Sequence, residues 1–296
     1  RVYAGRNARG PAFKDPNFQA DSELLGVEED VIWLRATRHA RTKSLQLVEE
    51  TETYQLCRSA VGESWLLSAL ACLMERGALH HLFETVEKNP RGRYVLRLFD
   101  GIEQEWQRII IDDRVPCQRD AYEASKSFKP IFLRTKDREL YLLLIEKAFA
   151  KFLGGYQHLD GRSTAWALSV MTGDPARIFV REEETWARKE LEDEMDKSGA
   201  RNFTLVDTGA KLSSDVFFEV LKKYCLLQSA LCAAGASAGS GLHRKHAYCI
   251  LDARKVGGGE SMRRFVKLRN AWPGRWLGEL AFGSSAWQER QGREAL

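Results

Sequence analysis

Residues 139–152 read ELYLLLIEKAFAKF, a run whose apolar side chains fall on nearly every face of a helix. Such a helix cannot lie on a surface, so the rest of the fold must wrap around it. Gly154 and Gly155 follow and end it. A second buried helix is predicted from 57–75, CRSAVGESWLLSALACLME. Leu67, Leu70, Ala71 and Met74 recur at helical spacing, and Ser64, a favoured N-cap type, stands where the helix opens. A helix start gathers unpaired N–H groups and partial positive charge, which suits a thiolate or an oxyanion.

Around these helices the pattern is mixed. Residues 1–30 read as an extended arm anchored by Phe13 and Phe18, and 31–38 as a short strand. Residues 94–99 and 106–111 flank Asp100-Gly101 as a hairpin. The turn residues of 171–175 mark a boundary, giving units 1–172 and 173–296. In the second unit, 182–197 reads as a solvated charged helix and 215–227 as an amphipathic helix. A Gly/Ala/Ser loop at 230–241 leads to strands at 246–253 and 264–269. Helices are expected to dominate the first unit and strands the second, an α+β class.

Composition excludes several functions. A net charge of +4, from 45 basic and 41 acidic residues without a long basic run, does not point to nucleic acid. No apolar run reaches the length of a membrane span. No secretory leader opens the chain, and the six scattered cysteines, without a CxxC pair, read as reduced thiols of a cytosolic protein. The chain does not begin with Met and reads as part of something longer. His80 and His81 read as a solvated helix end rather than zinc ligands.

Three residues carry chemistry: Ser64 at the helix start, His246 opening a strand, and Asn270 closing the next strand. A nucleophile, a base and a residue that orients the base is the logic of covalent hydrolysis. The segments around them, VGESWLLSALACL, HAYCILDAR and RNAWPGRWLG, resemble the calpain family of cysteine proteases. FKDPNF, IIIDDRVP, LIEKAFAKFLGGY, MTGD and SSAWQ resemble calpain core segments in the same order. The resemblance implies a papain-like core: a helical subdomain carrying the nucleophile position, a sheet-rich subdomain carrying His and Asn, and a cleft between them. By position, Trp65 and Trp272 would stand at the cleft.

The departures from the family pattern decide the expected activity. The nucleophilic Cys falls on Ser64, the preceding Asp on Glu63, the oxyanion-hole Gln on Arg58, the Gly after it on Ser59, and the Pro after Asn on Ala271. A papain-type thiol of pKa about 3–4 rests as a thiolate, which a hydroxyl cannot do. The expectation is a degenerate calpain-like protein, similar to those of trypanosome-type protists: a pseudoprotease that binds a protein or peptide in its cleft. A cytoplasmic location and a cytoskeletal partner follow by the same resemblance. Two alternatives stay open: an active endopeptidase using Ser64, or a cysteine protease in which Ser64 is an introduced replacement. The resemblance also implies calcium, which needs several oxygen ligands. Glu146 matches a family ligand, whereas other ligand positions fall on Gln55, Arg275 and Phe282; Glu49, Glu50 and Glu52 are nearby in sequence. No cofactor is expected, with calcium weak or absent.

Overall fold

The computed structural model describes residues 10–20, 25, 31–36, 56–57, 64–119, 128–131, 134–135, 140–197, 199–234, 242, 247–259, 262–270 and 284–285. Helix α1 (Ser64–Glu75), α2 (Leu140–Leu153) and α3 (Thr164–Thr172) form the centre of the first half. Every residue of α2 except Lys151 is buried, as its all-round apolar sequence requires. Trp65 of α1, Phe149 of α2 and Trp166 of α3 meet with ring centroids 5.8 to 6.1 Å apart. The two indoles are also anchored: Trp65 Nε1 donates to the Leu159 carbonyl at 2.8 Å and Trp166 Nε1 to Asp193 Oδ1 at 2.6 Å. A buried N–H finds a partner because leaving it unpaired would cost its hydration.

Strands surround these helices even in the first half, contrary to the expectation that helices dominate there. Strands β1 (Ile32–Arg35), β5 (Arg114–Arg119) and β6 (Phe128–Pro130) form one antiparallel sheet in the order β1-β5-β6. Strands β3 (Arg93–Asp100) and β4 (Glu105–Asp112) form the expected hairpin, and β2 (Leu56–Cys57) pairs with β7 (Arg134–Thr135). The missed strands are short, so they lack a window over which alternation can be read.

The N-terminal arm is sewn to this core. Phe18 is buried, and the Phe13 N–H donates to the Arg91 carbonyl at 2.8 Å. Asp15 N–H donates to Asp112 Oδ2 at 3.0 Å, and Lys151 Nζ to Asp15 Oδ2 at 2.7 Å. Behind them lies a buried ion pair. Lys147 Nζ sits 2.5 Å from Asp112 Oδ1 and donates to the Arg114 carbonyl at 2.5 Å. Burial pushes the Asp112 carboxyl up, but Lys147 and the hydrogen bonds from Asp15 N–H and Arg114 outweigh it and hold its pKa below the ordinary 3.8.

α3 stops at Thr172, where Gly173 takes φ 74° and its N–H caps the Ser169 carbonyl at 2.8 Å. Beyond it the charged stretch read as a helix is a strand. β8 (Arg177–Glu182), β9 (Thr185–Met195) and β10 (Arg201–Ser213) make an antiparallel sheet in the order β10-β9-β8. Along β9, Ala187 is buried and Leu191 partly buried, while Glu190, Glu192 and Glu194 between and beyond them are exposed. That is period two, not 3.6, and Glu182 is paired across the sheet with Lys189 and Lys211. The sheet is joined to the first half through Arg201, which pairs with Asp100 and donates to the Phe152 carbonyl at 3.2 Å.

Helix α4 (Ser214–Leu226) follows, with Ser213 Oγ accepting from the Val216 N–H at 3.3 Å as its N-cap. The last sheet contains β11 (Cys232–Ala234), β12 (Ala247–Val256) and β13 (Arg263–Arg269) in the order β11-β12-β13. β11 takes part of the stretch expected to be a loop. β12 is central: Ile250 and Ala253 pack with Phe218 and Leu221 of α4, and Cys249 packs into the main core with α1. No helix of the described residues is long and apolar enough to cross a membrane.

Candidate active site

Ser64 is the first residue of α1, so the first turn that follows presents backbone N–H groups without intrahelical acceptors. The helix is fixed from below by Trp65 and from the side by the last sheet. Ser68, one turn after Ser64 and fully buried, donates its hydroxyl to the Ala247 carbonyl at 3.0 Å. Ala247 opens β12 and is the residue after His246. One turn further along the helix, and two residues along the strand, stand Cys72 and Cys249, both buried. Four helical residues rise about 6.0 Å and two strand residues about 6.6 Å. The helix therefore runs alongside β12 nearly in step, Ser68 beside Ala247 and Cys72 beside Cys249. At the far end Glu75 of α1 pairs with Arg269, the last residue of β13, whose strand partner is Cys249.

Asn270 follows Arg269 directly, is half-buried and is engaged by a partner. Of the expected site residues, Ser64 thus opens α1 and Asn270 leaves β13. His246, Arg58 and Trp272 lie outside the described residues, as do Glu49, Glu50, Glu52, Gln55, Arg275 and Phe282. Trp65 is 4% exposed, with its ring against Phe149 and Trp166, so the first turn of α1 is anchored in the core by it. Three residues that the sequence analysis did not single out, Ser68, Glu75 and Arg269, carry the alignment of helix and sheet. A signal for Ser68 was present: a hydroxyl inside an apolar helix face, four residues after Ser64.

Calcium would require a ring of oxygen donors. Glu146 is buried on α2 and already engaged. Among the described residues no group of three or more His, Cys, Asp or Glu side chains could hold a metal ion. The donor set is not made up by these residues, and no chemical step is routed through a metal. His80 and His81 sit exposed on a 3-10 turn, Leu79–Leu82, with ring centroids 4.0 Å apart.

Comparison with known proteins matches residues 13–296 to the family described as calpain family cysteine protease. The calpain-type cysteine protease ADL1 of Oryza sativa subsp. japonica is 28% identical over 94% of this chain and 12% of its own length. The calpain-type cysteine protease DEK1 of Arabidopsis thaliana is 29% identical over 79% of this chain and 10% of its own. Human calpain-9 is 26% identical over 95% of this chain and 38% of its own. The chain thus spans well under half the length of these relatives. With four α-helices and several antiparallel sheets among the described residues the architecture is α+β, consistent with a papain-like core, and the chain belongs to the calpain family of cysteine proteases.

Proposed function

We propose that this chain is a calpain-type core with a degenerate hydrolytic centre, which binds a protein or peptide segment in the cleft between its halves without cutting it. One observation carries the reading: a serine stands at the nucleophile position of a helix whose seating against the histidine strand is intact, through Ser68 and Ala247. The scaffold of the site is retained and its reactive atom is not. A serine hydroxyl must lose its proton during attack, which demands a base and a shaped oxyanion hole at that moment. The family's oxyanion Gln is Arg58 here. Loss of one such donor costs roughly 3–4 kcal/mol of transition-state stabilisation, about 100- to 1000-fold in rate. Missing both thiolate and donor, the centre has no route to hydrolysis at a useful rate, whereas a peptide can still lie in an extended cleft. A cytoplasmic, cytoskeleton-associated scaffold fits such a role.

The test compares the native chain, Ser64→Cys, and Ser64→Cys with Arg58→Gln on casein, with and without calcium. The double variant is expected to cut and the native chain not. Cleavage by the native chain that His246→Ala abolishes would overturn the reading. Labelling of Ser64 by a phosphonate probe would replace it with a serine hydrolase.

A further inference from the structure

Three thiols converge where α1 meets the last sheet, and the proposed binding role uses none of them. Cys72 projects from α1 and is fully buried; its thiol donates to the Leu231 carbonyl at 3.1 Å. Cys249, 2% exposed, lies beside it, because α1 and β12 advance in step from the Ser68–Ala247 contact. Cys232 is the antiparallel strand partner of Cys249 and is partly exposed. The adjacent pair is bridged by the Ile250 N–H to the Leu231 carbonyl at 2.9 Å, which makes Cys232 and Cys249 a non-hydrogen-bonded pair with side chains close together. All three are free thiols.

We propose that Cys72 and Cys249 are a redox dithiol that a peroxide closes to a disulfide, covalently fastening helix α1 to strand β12. The Cys72 proton is held by the Leu231 carbonyl at 3.1 Å, which leaves Cys249 as the thiol placed to ionise. The neighbouring Cys72 and the Arg76 guanidinium, which also donates to the Ser229 carbonyl at 3.2 Å, lower its pKa against the effect of burial. The Cys249 thiol beside it and then burial push Cys72 up, while burial raises Cys232 to about 12. Cys249 is therefore the attacking sulfur, since the thiolate is the nucleophile.

The chemistry balances with hydrogen peroxide as oxidant. The Cys249 thiolate attacks one peroxide oxygen; an S–O bond forms, the O–O bond breaks, and the departing hydroxide takes up the proton that Cys249 released, leaving as water. Cys249 is now a sulfenic acid. Cys72 sulfur attacks the Cys249 sulfur; the S–S bond forms, the S–O bond breaks, and the second hydroxide leaves as water with the proton of Cys72. Two thiols and one peroxide become one disulfide and two waters, and a dithiol reductant reverses the change. The bond would sit one helical turn from the Ser68–Ala247 contact. It would hold the nucleophile-position helix and the histidine strand in one alignment, whether or not the centre cuts.

The experiment treats the unmodified chain with hydrogen peroxide under native conditions, blocks remaining thiols with iodoacetamide, and maps the digest by mass spectrometry before and after dithiothreitol. The expected result is a dithiothreitol-sensitive link between the peptides carrying Cys72 and Cys249. It persists in Cys232→Ser and is lost in Cys72→Ser and Cys249→Ser, and the oxidised native chain melts several degrees above the reduced one. Alkylation of all three thiols after peroxide would overturn the proposal, as would a link of Cys249 to Cys232 alone. The map of the unmodified chain decides the matter even if a variant fails to fold.

Discussion

Replacing Lys147 with methionine tests whether the buried charges around α2 hold the arm and the core together. Methionine keeps most of the length and apolar bulk of the stem. It deletes an ammonium that is 1% exposed, bonded to Asp112 Oδ1 and to the Arg114 carbonyl, each at 2.5 Å, and 5.4 Å from the Trp33 ring centre. Asp112 keeps Arg114 and the Asp15 N–H, but its carboxylate has no exposure to water and loses its closest counter-charge. Breaking one side of a buried pair costs about 3–5 kcal/mol, because the remaining charge stays desolvated. In a urea titration followed by tryptophan fluorescence the midpoint should fall by more than about 1 M, given slopes of about 1–3 kcal/mol/M. Adding Asp112→Asn removes the stranded charge while retaining an oxygen for the Asp15 N–H, and should restore about half of the loss. The pH dependence has a definite sign. Asp112 has a folded pKa below its ordinary 3.8, so its contribution is present above that value and is lost as pH falls through the folded pKa. The penalty of Lys147→Met should therefore shrink between pH 7 and pH 3, where protonation neutralises the orphaned carboxyl. A single variant costing under about 1 kcal/mol at pH 7, or a penalty that grows on acidification, would refute the reasoning.

Ser68→Ala should destabilise by about 1–3 kcal/mol, since it leaves the buried Ala247 carbonyl without this donor. In the Ser64→Cys, Arg58→Gln background it should also lower casein cleavage, and unchanged cleavage at lowered stability would deny Ser68 a positioning role. Trp65→Phe keeps the ring packing but leaves the Leu159 carbonyl without the indole donor, and a loss of about 1–2 kcal/mol is expected by denaturant titration. Gly173→Ala meets two obstacles: φ 74°, and a Cβ 2.8 Å from Trp106 Cζ2. Its cost should exceed the roughly 1–2 kcal/mol of left-handed backbone alone, and a thermal midpoint within 1 °C of the parent, as an order of magnitude, would contradict this.

Much of this was legible in the residues. The all-round apolar run became α2, Asp100-Gly101 became the turn between β3 and β4, and the strands bracketing 256–260 became β12 and β13. These signals are local: period, turn chemistry and glycine position. The charged stretch misled because Glu and Lys are common on helix surfaces, and the alternation of Ala187, Leu191 and the glutamates between and beyond them is weak against that background. The partners of Lys147 and Lys151 could not be read at all, because Asp112 lies 35 residues from Lys147 and Asp15 136 from Lys151, and only the fold brings them together. At the candidate site, Ser64 and Asn270 could be named from motif likeness. The seating of α1 on β12 could not, since it depends on a helix and a strand advancing in step.

That seating has a consequence for how the chain is made. The bond from Ser68 to Ala247 spans 179 residues. At synthesis rates of about 5–20 residues per second, roughly ten to forty seconds separate the emergence of α1 from that of its partner strand. Throughout that interval the wall of α1 destined for the sheet, with Ser68 and Cys72 in it, has no mate. A helix this apolar must then be sheltered by its neighbours α2 and α3 or by a holding chaperone, and arrest of translation before residue 247 should leave a nascent chain prone to aggregate.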